Sequence, residues 1–152
     1  MSVDRTNLIG RGLKVVTYTV RRDDVEEFLP LARGESAPGL NEGAGKSETS
    51  DGPVIPPSFV PFVVCLSLLR AFDWERDFLF RYDTGTAMFG EQELQYTRPL
   101  EIGDVLTVRS HISDVYQKRG KSVFDVIEVR FTGSNVTCLP VFSGAQSYLL
   151  FD

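Results

Sequence analysis

Ile55-Pro-Pro-Ser-Phe-Val-Pro-Phe-Val-Val-Cys-Leu-Ser-Leu-Leu-Arg-Ala-Phe72 is the stretch on which the fold of this chain turns. From Phe59 to Leu69 it carries no charge, and Ser67 is its one polar residue past the first turn. Apolar side chains on every face predict a helix buried all round, not along one stripe. A membrane span needs about 20 such residues, and Arg70, Asp73, Glu75 and Arg76 end the run before that. Ser58 is placed to cap the helix by accepting a backbone N–H two or three residues on. Pro61 falls in the first turn, where its missing N–H costs nothing. The sequence beyond reads as successive strands, so the expected class is α+β: a curved antiparallel sheet wrapped around one central buried helix.

The bulk properties narrow the setting. A length of 152 residues suits a single domain, 1–152, with a substantial core. The formal net charge of −5, with no basic stripe interleaved with aromatics, argues against a nucleic-acid partner. Cys65 and Cys138 are too few for a disulfide framework or a zinc site, so no metal is expected and both read as reduced core residues. The N-terminal Met1 to Thr6 has no apolar signal core. The expectation is a soluble cytoplasmic protein with no membrane partner and no cofactor.

Working outward, Lys14 to Val20 alternates as a short strand. Arg21 to Arg33 places Val25, Phe28, Leu29 and Ala32 at helical spacing, with Asp23 and Asp24 at the end where carboxylates cap and suit the dipole. Arg33 to Pro57, rich in glycine, serine and proline, has no periodic apolar pattern. A loop this long, flexible over about 34–55, reads equally as a lid beside the central helix or as a disordered surface segment. Trp74, Phe78, Phe80 and Tyr82 supply packing in the connection after the helix. Four strands then follow, over Phe89–Arg98, Asp104–Tyr116, Ser122–Thr132 and Val136–Leu150. Lys118-Arg-Gly-Lys121 forms a hairpin tip, Gly133-Ser-Asn135 a turn, and Pro140 marks an edge or bulge.

That order, with several short motifs, resembles the hotdog fold, and more closely the MaoC-like dehydratases and (R)-specific enoyl-CoA hydratases. The likeness is to their N-terminal-type domain, the FAS1-like dehydratase. Its carriers are Tyr18-Thr-Val20 leading into Asp24-Val-Glu-Glu-Phe28, then Pro56-Pro-Ser-Phe59 and Gly90-Glu-Gln-Glu-Leu-Gln-Tyr96. Arg98-Pro-Leu100, Gly103-Asp104 and Asp114-Val-Tyr-Gln-Lys-Arg-Gly120 complete the set, so the resemblance runs from about Val15 to Leu149.

The resemblance implies hydration of an enoyl thioester or dehydration of a 3-hydroxyacyl thioester, carried by CoA or by an acyl carrier protein. It also implies subunits paired with their sheets side by side and the site between them. Such chemistry needs a base and an acid held against one water. Active members resemble one another in an Asp-x-Asn-Pro-(Leu/Ile)-His motif, which falls here on Glu35-Ser-Ala-Pro-Gly-Leu40. Glu35 then stands at the aspartate position and Leu40 at the histidine position, so the dyad is degenerate and no catalytic residue is assigned. Phe89 stands where the family often carries a second histidine. The single His111 sits among Thr107, Arg109 and Ser113 on a polar period-2 face, as a solvated strand histidine would. Glu91 and Glu93, two apart, share one face with Gln95 and Thr97, which suggests solvent or a dimer contact.

Binding machinery survives. By resemblance, the backbone at Pro57, Ser58 and Phe59 faces the thioester carbonyl, which the N–H groups of the helix start can polarise. Phe59, Phe62 and Val63 are candidates for an acyl tunnel, though core packing accounts for them as well. Lys118, Arg119 and Lys121 are candidates for CoA phosphates, or simply a solvated tip. The expected function is that of the non-catalytic, pocket-shaping partner of a catalytic MaoC-like subunit. The alternatives are a homodimeric acyl-CoA-binding module without turnover and a self-sufficient hydratase with Glu35 or Glu91 as base.

Overall fold

The computed structural model describes residues 7–34, 48–49, 52–66, 70 and 87–151. Five strands form one antiparallel sheet: β1 (Val16–Thr19), β4 (Ala87–Tyr96), β5 (Val105–Arg119), β6 (Val123–Ser134) and β7 (Pro140–Phe151). Their spatial order is β1-β5-β6-β7-β4, which leaves β1 and β4 as edges. Helix α1 (Arg22–Ala32) follows β1, and a short pair, β2 (Glu48–Thr49) with β3 (Gly52–Pro53), interrupts the segment expected to be wholly irregular.

Period-2 alternation separates the two faces of the sheet. Leu106, Val108 and Ile112 of β5, Val129 and Phe131 of β6, and Phe142 of β7 turn inward and are buried with Phe59, Val60 and Val64 of the central helix. Arg109, His111, Arg130 and Thr132 point outward and are exposed. Register shifts at Phe89/Gln92, Ile112/Asp114 and Gly133/Ser134 mark bulges, which bend and twist a sheet. At one of these irregularities Pro140 opens β7 opposite Ser134. It therefore begins an interior strand, where its missing N–H is tolerated, and does not mark an edge.

Four expectations are corrected. The central helix is not buried all round: Phe62 is 68 % exposed and Leu66 41 %. It is wound as a π-helix over Val60–Val64, and the Cys65 N–H reaches back to the Val60 carbonyl. No side-chain hydrogen bond caps its start, so Ser58 does not act there as expected. Helix α1 likewise begins at Arg21 without a side-chain cap, because Asp24 is drawn to Arg21 and Tyr18 instead. Cys138 is exposed, in a turn, with φ of 62°; the Asn135 carboxamide holds that turn by accepting from the Thr137 and Leu139 amides at 3.1 and 2.9 Å. Gly90 and Glu91 sit in the β4 bulge, opposite Ser147. The aromatic connection Trp74–Tyr82 lies outside the described residues.

Candidate functional site

Helix α1 and the first turn of the central helix enclose a groove of about 610 Å³, lined by Asp24, Phe28, Leu31, Ser58, Phe62 and Val63 among others. An aromatic chain builds its floor. Phe28 meets Phe59 edge-on with centroids 5.5 Å apart and lies 6.4 Å from Phe62. Tyr18 meets the far side of Phe59 at 6.3 Å. Phe59 is fully buried, so it supports the groove from below while Phe62 stands in its open wall.

The polar rim is tied down. Arg21 donates to both Asp24 oxygens at 3.1 and 3.0 Å, and the Tyr18 hydroxyl donates to Asp24 at 2.9 Å. The bonds from Arg21 outweigh the opposing effect of burial and, with the Tyr18 hydroxyl, hold the Asp24 carboxyl below its ordinary range. Burial and the Asp24 carboxylate push the Tyr18 hydroxyl well up. Asp24 is thus a fixed anion and a poor proton acceptor. Arg21 and Asp24 are three apart at a helix start, a spacing that favours pairing, yet reading the aspartate as a cap obscured it.

The turn into the central helix is set by two prolines. The Pro56 carbonyl accepts the Phe59 N–H at 2.9 Å, and the Ser58 carbonyl accepts the Phe62 N–H at 3.3 Å. The Phe59 amide is therefore already committed. Since Pro57 and Pro61 carry no N–H, Ser58 and Val60 carry the other backbone donors of this turn. The Tyr96 hydroxyl donates to the Pro57 carbonyl, fixing the turn to the end of edge strand β4; burial first, then the nearby Cys65, pushes that hydroxyl up to about 12. Tyr96 ends the Gly90–Tyr96 motif, and the sequence alone carries no sign of this bond.

The structure gathers Pro57, Ser58, Phe59, Phe62 and Val63 at one place and leaves the other candidates elsewhere. Lys118 and Arg119 are exposed at the far end of β5. His111, the chain's sole histidine, is exposed on the outer sheet face, paired with Arg130. Glu91 is exposed on the bulge, its amide donating to the Ser147 hydroxyl at 2.7 Å. Glu35 and Leu40 lie outside the described residues. Among the described residues, no group of His, Cys, Asp and Glu is arranged to hold a metal, and no helix is long and apolar enough to cross a membrane.

Comparison with known proteins agrees with this architecture. A UPF0336 protein of Streptomyces coelicolor is 28 % identical over 128 residues, 83 % of this chain and 82 % of its own length. The C-terminally truncated HadBC (3R-hydroxyacyl-ACP dehydratase) complex of Mycobacterium tuberculosis superposes with a TM-score of 0.59 at 22 % identity, covering 91 % of this chain and 96 % of the matched one. The MaoC-like dehydratase of Rhodospirillum rubrum gives 0.62 at 14 % identity, covering 94 % and 92 %. These likenesses establish the hotdog fold. Residues 7–143 match the family model for the FAS1-like, dehydratase domain region, and the chain belongs to that family.

Proposed function

We propose that this chain is the non-catalytic, pocket-shaping half of a MaoC-like hydratase/dehydratase acting on an acyl thioester, and that a second, catalytic MaoC-like subunit supplies the acid and the base. The observation that carries this reading is the mismatch between groove and histidine. An apolar groove lies at the helix start, while the chain's one imidazole stands on the opposite face of the sheet. The groove's Asp24 is locked as an anion, so no described side chain there offers a proton-transfer pair.

In this role Phe28, Leu31, Phe62 and Val63 receive the acyl chain, and the Ser58 and Val60 amides polarise the thioester carbonyl. The exposed Phe62 and Leu66 form an apolar stripe of the kind that ligands or partner subunits cover. Among the described residues strand β4 is an edge open to a second sheet, with Met88 57 % and Phe89 51 % exposed along it.

Coexpression with a MaoC-like subunit carrying the Asp/His motif tests the proposal. The expected result is copurification, with hydratase turnover that the lone chain lacks. Full hydratase activity of the isolated chain would overturn it. A second reading, a homodimeric thioester-binding module, draws on the groove being complete within one chain; thioester binding without turnover in every pairing would favour it.

A further inference from the structure

We propose that the basic tip of the β5–β6 hairpin grips the phosphate end of the thioester carrier bound in the neighbouring subunit's groove, not in its own. This rests on the paired-subunit reading above. Lys118 and Arg119 end β5 and Lys121 follows in the turn, all three exposed. Lys118 Nζ sits 5.5 Å from the Tyr116 ring centroid, which steadies the side chain without neutralising it. Among the described residues no ion pair neutralises any of the three. On a chain of net charge −5, this is a local inversion of sign.

The groove of the same chain is out of reach. Tyr18, edge-on to Phe59 at the groove floor, pairs with Leu106. Lys118 lies twelve residues further along β5, or about 40 Å at the rise of a strand. Tip and groove occupy opposite ends of one subunit.

The free edge of the sheet reverses that relation. Tyr96, at one end of edge strand β4, is bonded to Pro57 at the groove mouth. Ala87, at the other end, lies in a cross-strand row with Leu150, Asp125 and Gln117, beside the tip. Antiparallel pairing of β4 with its counterpart about a two-fold axis turns one sheet end for end. The Ala87 end of one subunit then abuts the Tyr96 end of the other. The tip comes to the same end as the neighbour's groove, four strand spacings away, which is about 19 Å. A phosphopantetheine arm spans a gap of that order, and lysine and arginine are suited to the phosphates at its end.

The test compares crotonyl-CoA with crotonyl-pantetheine, which lacks phosphates, on the assembled protein. Reversing the tip with Lys118→Glu and Arg119→Glu is expected to weaken CoA-ester binding at least tenfold and leave pantetheine-ester binding within twofold. In a mixed pair the same reversal raises KM for the CoA ester at the partner's site with kcat unchanged. Placement is read in a self-paired assembly by mixing tip-reversed chains with groove-filled chains carrying Val63→Trp, or Leu31→Trp if the first misfolds. Both parents bind the CoA ester at least tenfold more weakly than wild type, and the mixture regains binding, because one site then has an intact groove and an intact neighbouring tip. A mixture that binds no better than its parents, or a tip-reversed protein that binds the CoA ester normally, overturns the placement. A wild-type assembly that binds neither ester overturns the thioester reading and the placement together.

Discussion

Arg98 and Asp104 show how much one pair can hold in place. The guanidinium meets both carboxylate oxygens at 2.9 Å, and Asp104 also accepts the Glu101 N–H at 2.8 Å, closing the turn from β4 into β5. Burial alone would raise the Asp104 carboxyl, but the bonds from Arg98 and the Glu101 amide outweigh it and lower it. A depressed carboxyl stabilises the fold above its unfolded value of about 4, and that contribution is lost as pH falls through the folded value. Asp104→Ala is expected to cost about 1–3 kcal/mol at neutral pH. Urea melts of the two proteins at several pH values should converge as the solution is acidified. The cysteines give a second prediction at this scale. Burial outweighs the hydrogen bonds from Gln146 and Gln92 and pushes the Cys65 thiol up to about 12, whereas Cys138 is exposed. Brief alkylation of the native protein at neutral pH should therefore label Cys138 and spare Cys65, with both labelled after denaturation; mass spectrometry of the peptides decides it. Composition made the two cysteines look alike, because composition does not record that one of them sits in a turn held by Asn135.

At the scale of elements, alternation and helical spacing located the framework well. The strand expected over Asp104–Tyr116 is Val105–Arg119, and the helix expected over Arg21–Arg33 is Arg22–Ala32. Such patterns are legible because each residue reports which face it turns to the core. Bulges were not legible, since an inserted residue changes facing without changing composition. Helix burial failed for a related reason. An apolar side chain such as Phe62 reads alike in sequence whether it meets its own core or lies at the surface. One close approach was also hidden. A Cβ placed on Gly144 would lie 2.2 Å from the Glu93 carbonyl oxygen and 2.7 Å from Phe131 Cζ. The first is backbone of a paired strand and cannot swing aside. Gly144→Ala should destabilise by about 1–3 kcal/mol, lowering Tm by several degrees, as a thermal melt would show. Gly103→Ala is strained instead by its φ of 95°, with open space around it, so backbone conformation alone accounts for its loss.

Across the whole molecule, the sheet keeps an edge open to a further strand among the described residues. Strand β4 ends the sheet with Met88 and Phe89 uncovered, and a long edge carrying apolar side chains invites another strand unless something blocks it. Lysine on an edge is such a block. Met88→Lys with Phe89→Lys is therefore expected to weaken subunit association at least tenfold, measured by analytical ultracentrifugation. Phe89 rests edge-on against Tyr148 at 5.6 Å, so some stability is lost from the lone chain too. Met88→Lys alone spares that contact and separates the two effects. If association is unchanged by both variants, β4 is not the seam between subunits. A second subunit would then have to approach from another surface, such as the exposed Phe62 face.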